Sequence, residues 1–188
     1  MVDQKFEWWI YLPVSIFVVA FLLSWIRTFL GKIIALMPSL RKFVLGEQYI
    51  EGVWIDRVQS GGGMEFFGLI NISPDDEKLC FSVENVDRTG GGSGRLVAKQ
   101  IQMEWPTIVF KSEGNSREPK YNEGIVSLQF EGIQGVPNRF SGGCLDKNLI
   151  PPVVIEGWRI TDEDMLKDLQ DPEKRKQSLQ KLIANYFP

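Results

Sequence analysis

Residues 123–132 read EGIVSLQFEG, and along this run apolar and polar side chains alternate. Val126, Leu128 and Phe130 fall on one face and Ser127, Gln129 and Glu131 on the other, so a side-chain period of two makes the segment a strand with one dry and one wet side. Working outward, the same grammar recurs at 51–59, 64–73, 78–86, 94–104, 106–113, 138–146 and 152–160. In the run 78–86, for instance, Leu79, Phe81 and Val83 oppose Cys80, Ser82 and Glu84. Between the runs stand SGGG (60–63), SPDDE (73–77), DRTGGGSG (87–94) and GNSREPKYN (114–122), all turn chemistry. Eight strands with no helical pattern between them favour an antiparallel up-and-down β-barrel, because closure removes the unpaired edges. A β-sandwich is the alternative.

Upstream the grammar changes. Trp8 to Ile26 reads WWIYLPVSIFVVAFLLSWI, nineteen residues without a charge. At about 1.5 Å per residue such a helix spans a hydrocarbon core of about 30 Å. Trp8, Trp9 and Tyr11 at one end and Trp25 at the other have the placing of interfacial aromatic belts, and Pro13 falls near the first turn. A cleaved signal peptide would want a basic start, a shorter apolar run and small residues after it; here Asp3 and Glu7 flank Lys5 and bulky residues follow. Arg27, Lys32, Arg41 and Lys42 lie on the C-terminal side, so the positive-inside bias puts the large domain in the cytoplasm. Phe29, Ile33, Leu36, Leu40 and Phe43 keep helical spacing, which extends the helix or lays it in the headgroup layer. A second crossing here would be short and interrupted by Lys32 and Pro38.

An outer-membrane barrel fits poorly, since a charge-free helix precedes strands that lack lipid-facing bands and aromatic girdles. The fold class is therefore all-β with a helical membrane anchor: an N-terminal transmembrane helix, an eight-stranded barrel and a short C-terminal helix. The expected division is anchor 1–45, barrel 46–160 and helical tail 161–188. The tail starts from a cap at Thr161 or Asp162, restarts at Asp171-Pro172-Glu173, and puts Leu179, Leu182, Ile183 and Tyr186 on one face for docking on the barrel or a neighbouring subunit.

Composition narrows the function. A net charge of -3 and a pI near 5.2 give no general attraction for DNA or RNA. Histidine is absent, which removes Ser-His-Asp and Cys-His catalysis and most zinc sites. Cys80 and Cys144 are too few for a disulfide framework and have no metal-ligand spacing. The GGGSG run at 90–94 lacks the Lys-Ser/Thr of a phosphate loop. The carboxylate pairs Asp75-Asp76 and Asp162-Glu163 are explained by solvation or a helix dipole. No enzyme, cofactor or metal site is expected.

What remains is binding. Trp54, Arg57, Trp105, Arg139 and Arg159 stand in or beside strands, and flat aromatic faces with guanidinium forks suit a nucleobase and a phosphate. A barrel of this size holds one small ligand. The plainer alternative plugs the barrel with the tryptophans and turns the arginines to water; strand parity decides which holds.

The opening strand YIEGVWIDRV (49–58), with Gly52 and Trp54 following the anchor directly, and the closing strand VVIEGWRI (153–160) complete a layout that resembles the membrane-anchored β-barrel effectors of CBASS, the cyclic-oligonucleotide-based antiphage signalling systems of bacteria. The resemblance implies a barrel that senses a cyclic dinucleotide, self-association of the protein, and disruption of the inner membrane by its helices in abortive defence. Members usually carry two spans, and one is clear here. A membrane-tethered lipocalin-like carrier of an apolar ligand, or an adaptor recruiting a protein partner, are the alternative functions.

Overall fold

A computed structural model describes residues 8–75, 78–116, 123–133, 135–146 and 149–188. The chain divides into two compact units, Met1–Val44 and Leu45–Pro188.

The first unit is helical. Helix α1 (Trp8–Leu36) runs ten residues past the charge-free stretch, because Arg27 to Leu36 contains good helix formers. Within it Pro13–Ile34 is long and apolar enough to cross a membrane. Its apolar side chains stand exposed, among them Phe17, Phe21 and Leu23. The helix breaks at Met37, ahead of Pro38, and α2 (Pro38–Leu45) follows. Eight residues span only about 12 Å, so α2 cannot form a second crossing. The side chains of the N-terminal aromatic belt lie outside the described residues.

The second unit begins with a short 3₁₀ turn at Gly46–Gln48. Eight strands then follow: β1 (Gly52–Ser60), β2 (Glu65–Asp75), β3 (Lys78–Val86), β4 (Gly92–Glu104), β5 (Thr107–Ser116), β6 (Glu123–Ile133), β7 (Val136–Asp146) and β8 (Val153–Arg159). Each pairs antiparallel with the next, and β8 returns to β1 with Asp56 opposite Gly157, closing the barrel. The turn expected at 114–122 falls largely outside the described residues.

Three bulges among the described residues break the period of two, the first where Asn85 pairs with Gly94 and Val86 with Gly92. The second, one extra residue in β4 between Lys99 and Gln102, with Gln100 at φ 52°, lets both Ala98 and Ile101 pack inward. The third lies where Glu131 pairs with Arg139 and Gly132 with Pro137.

Parity sorts the apolar residues into two cores. The inner one fills the barrel with Trp54, Ile70, Ile72, Phe81, Ile108, Phe110, Leu128, Phe130, Phe140 and Ile155. The outer one lies on the wall of β1, β2, β3 and β8, where Ile55, Phe67, Leu69 and Val86 meet Leu169, Leu179, Leu182, Ile183 and Phe187 of the C-terminal segment. This covering consists of α3 (Glu163–Gln170) and α4 (Arg175–Tyr186). Asp162 caps α3, its Oδ1 accepting from the amides of Asp164 and Met165 at 2.9 and 3.0 Å. The restart comes three residues later than the sequence suggested. Pro172 lies in a turn, Asp171 Oδ1 accepts from the Glu173 amide at 2.9 Å, and α4 begins at Arg175. The expected face docks on the barrel wall of the same chain, with Leu179, Leu182 and Ile183 buried. Arg175 locks it by an ion pair to Glu84 at 2.6 Å.

Candidate functional site

Antiparallel alternation gives the barrel two unlike ends. One carries the start of β1, the β4–β5 turn and the end of β8; an aromatic plug closes it. Trp54 meets Phe130 edge-on at 5.3 Å and Phe140 at 5.5 Å, and Phe130 and Phe140 are 5.5 Å apart. Trp105, joined to Pro106 by a cis peptide, folds over this end and stacks on Phe130 at 6.5 Å. Gly157 makes the plug fit, because the Phe140 ring occupies the place where a Cβ would stand.

Arg159 finishes the closure. Its guanidinium lies over the rings of Tyr49 and Trp54 at 5.0 and 5.5 Å. It donates to the carbonyls of Tyr49 (3.1 Å), Pro137 (3.4 Å) and Glu51. Burial draws its pKa below the guanidinium range, opposed by Tyr49 and Glu51. Gly52 at φ 131° leaves room for this head, with Arg159 Nη2 3.2 Å from where a Cβ would be.

The opposite half of the barrel is hollow. A cavity of about 650 Å³ lies inside, walled by residues such as Val58, Val83, Leu96, Phe110, Val126 and Ile155. Its volume is in the range of small-molecule sites. Around its mouth stand Glu65, Asp87, Arg88 and Asp146, each at a strand end or in the β3–β4 turn. Arg88 is the one cation among the described lining residues. It is held by Glu65 at 2.6 Å and lies over the Phe67 ring at 5.4 Å. Asp87 Oδ1 accepts from the Thr89 amide and hydroxyl, both at 2.7 Å, and from the Gly91 amide at 2.9 Å. The Thr89 hydroxyl and these amides hold its carboxyl below the usual range.

At the inner end of the cavity, one inward position from Trp54, is Asp56. Its neighbours in the ladder are Gly68 and Gly157, and its carboxyl occupies the space a Cβ on Gly68 would need. Asp56 is 5% exposed and its Oδ1 has no hydrogen-bond partner. Burial pushes its pKa up to about 7, with the Gly68 amide and its own amide pulling less strongly the other way. Higher on the wall, Ser112 Oγ donates to the Gly124 carbonyl at 3.2 Å. Cys144, also in the wall, has its thiol pushed up to about 11 by burial first and Asp146 second, so it is a poor nucleophile.

The structure brings together three of the five residues singled out from sequence. Trp54, Trp105 and Arg159 meet at the closed end. Arg57 and Arg139 are on the outer wall: Arg57 pairs with Glu156 at 3.4 Å and lies over Phe187 at 5.2 Å, and Arg139 lies over Trp158 at 5.3 Å. They brace the C-terminal helices there, since Trp158 packs on Phe187 at 5.0 Å. Asp56 was missed, although a signal was present: it stands two residues from Trp54 and shares its face, whereas Arg57 is three away and cannot.

Among the described residues no group of three or more His, Cys, Asp and Glu is placed to hold a metal. The chain matches no protein-family model and no curated protein. Among solved structures it is similar to a de novo designed fluorescence-activating β-barrel, at 15% identity and a TM-score of 0.42 over 60% of this chain and 95% of that one.

Proposed function

We propose that this protein is a membrane-anchored receptor of bacterial antiphage (CBASS) signalling. A cyclic dinucleotide enters the barrel cavity, the protein self-associates, and its apolar helices disrupt the inner membrane. The observation that carries the reading is a ligand-sized cavity plugged at one end and open at the other, in a chain that also carries an apolar helix of membrane-spanning length. The bases occupy the apolar interior, with Asp56 at its inner end. The phosphates stay at the mouth, solvated by water and beside Arg88. No catalytic step is needed: a ligand that binds the assembled state better shifts the equilibrium by its differential affinity. Tethering in a plane raises the effective concentration of subunits. The positive-inside bias then places the barrel in the cytoplasm, where the nucleotide is made.

The test is thermal unfolding of the full chain in lipid nanodiscs against a panel of cyclic dinucleotides. At a hundredfold excess over Kd, binding contributes about 2.7 kcal/mol, a rise in Tm of roughly 5–10 °C. No shift with any member of the panel contradicts the reading.

A second reading, a tethered carrier of an apolar ligand, is favoured by the aliphatic and aromatic wall of the cavity. Lipid released from the purified chain on denaturation, with no response to nucleotides, selects it.

A further inference from the structure

We propose that Asp56 reads the edge of the inserted base, and that this base presents two adjacent N–H donors, as guanine does with its ring N–H and exocyclic amine. The inference rests on the reading of the ligand as a cyclic dinucleotide and names which one.

A base pushed into the inner end of the cavity leaves water behind, and each unpaired polar atom there costs binding energy. Around Asp56 the backbones of β1, β2 and β8 are committed to their ladders, Ser112 already donates to the Gly124 carbonyl, and Asn85, across Gly68, has a partner of its own. Asp56 is the buried carboxyl that lines the cavity; its Oδ1 lies against Gly68 without a partner, and a turn of the carboxyl presents both oxygens to an inserted base. A carboxylate only accepts, and its two oxygens match two parallel donors. Guanine offers that pair. Adenine presents a donor beside an acceptor, and uracil sets a donor between two carbonyls, so either leaves an acceptor facing the carboxylate. The elevated pKa of Asp56 agrees with a carboxyl waiting for a donor partner. Binding such a partner favours the ionised form.

The substitution Asp56→Asn tests this in the full chain. It keeps size and shape but turns one acceptor into a donor, which suits the adenine edge and opposes guanine. Titration calorimetry in nanodiscs at pH 8, where Asp56 is largely ionised and only accepts, with cyclic di-GMP and cyclic di-AMP should show the natural chain preferring the former. Asp56→Asn should weaken cyclic di-GMP on the order of tenfold or more and shift the preference towards cyclic di-AMP. The unliganded Tm of each chain shows that both are folded. A natural chain that binds a cyclic dinucleotide, with a ranking that Asp56→Asn leaves unchanged, overturns the role of Asp56 and leaves the receptor reading standing. A natural chain that binds neither nucleotide nor any other of the panel overturns both.

Discussion

Replacing Asp56 by Asn is expected to stabilise the barrel at pH 8 by up to about 4 kcal/mol and to change it little at pH 4. The carboxyl titrates near its ordinary value of 3.8 when the chain is unfolded and at about 7 in the barrel. Between those values the folded state keeps a proton that the unfolded chain has released. Stability therefore falls as pH rises through this window, at about 1.4 kcal/mol per pH unit. Below it both states are protonated and the group contributes nothing. Above it both are ionised, and the barrel carries the full penalty of a buried carboxylate whose Oδ1 has no partner. Asparagine cannot ionise, so its advantage grows across the window. Glu65, Asp87, Arg88 and Asp146, the other charged groups lining this cavity, are common to both chains, and Glu65 and Arg88 neutralise each other. Thermal unfolding at pH 4, 6 and 8 should show the gap widening upward. A gap that stays constant with pH means the carboxyl titrates at its ordinary value, and the cavity's inner end is wet.

Trp54→Ala is expected to destabilise the barrel by about 3–5 kcal/mol, a fall in Tm of roughly 10 °C or more. The indole is fully buried and belongs to both halves of the closure. It fills the space against Phe130 and Phe140, carries the Arg159 guanidinium on its face, and donates from Nε1 to the Ile50 carbonyl at 2.9 Å. Alanine removes all of these, leaving a void in a ring of aromatics that cannot collapse across a closed barrel wall. Trp54→Phe should lose less, since it keeps ring packing and forfeits chiefly the hydrogen bond. A cost below about 1 kcal/mol for Trp54→Ala would mean the plug contributes little to stability. Neither substitution touches the outer core, so the C-terminal helices should remain docked.

Much of this architecture is legible in the sequence because it rests on short-range rules. Alternation in EGIVSLQFEG and its counterparts places all eight strands within two or three residues of their bounds, since glycine and proline clusters leave the chain few places to turn. The helix before the barrel is plain from its lack of charge. The site was less legible because it depends on parity accumulated along strands. Trp54 and Arg57 look like one motif in VWIDRV, but a spacing of three puts them on opposite faces. Arg139 and Phe140 are adjacent and so must also part. The bulges at Gln100 and beside Pro137 then reset the count, and no single-strand pattern announces them. The cavity itself arises from what eight walls jointly fail to fill, with large rings gathered at one end and Val, Ala, Ser and Gly towards the other.

The most direct test of the central claim, that recognition takes place inside the barrel, is to fill the cavity. Ala98 is a small inward residue in its wall, and Ala98→Phe puts a ring into that space. Titrated with a cyclic dinucleotide that the natural chain binds, the folded variant should show no response. Affinity equal to that of the natural chain, at an unchanged unliganded Tm, would put the ligand outside the barrel and contradict this account.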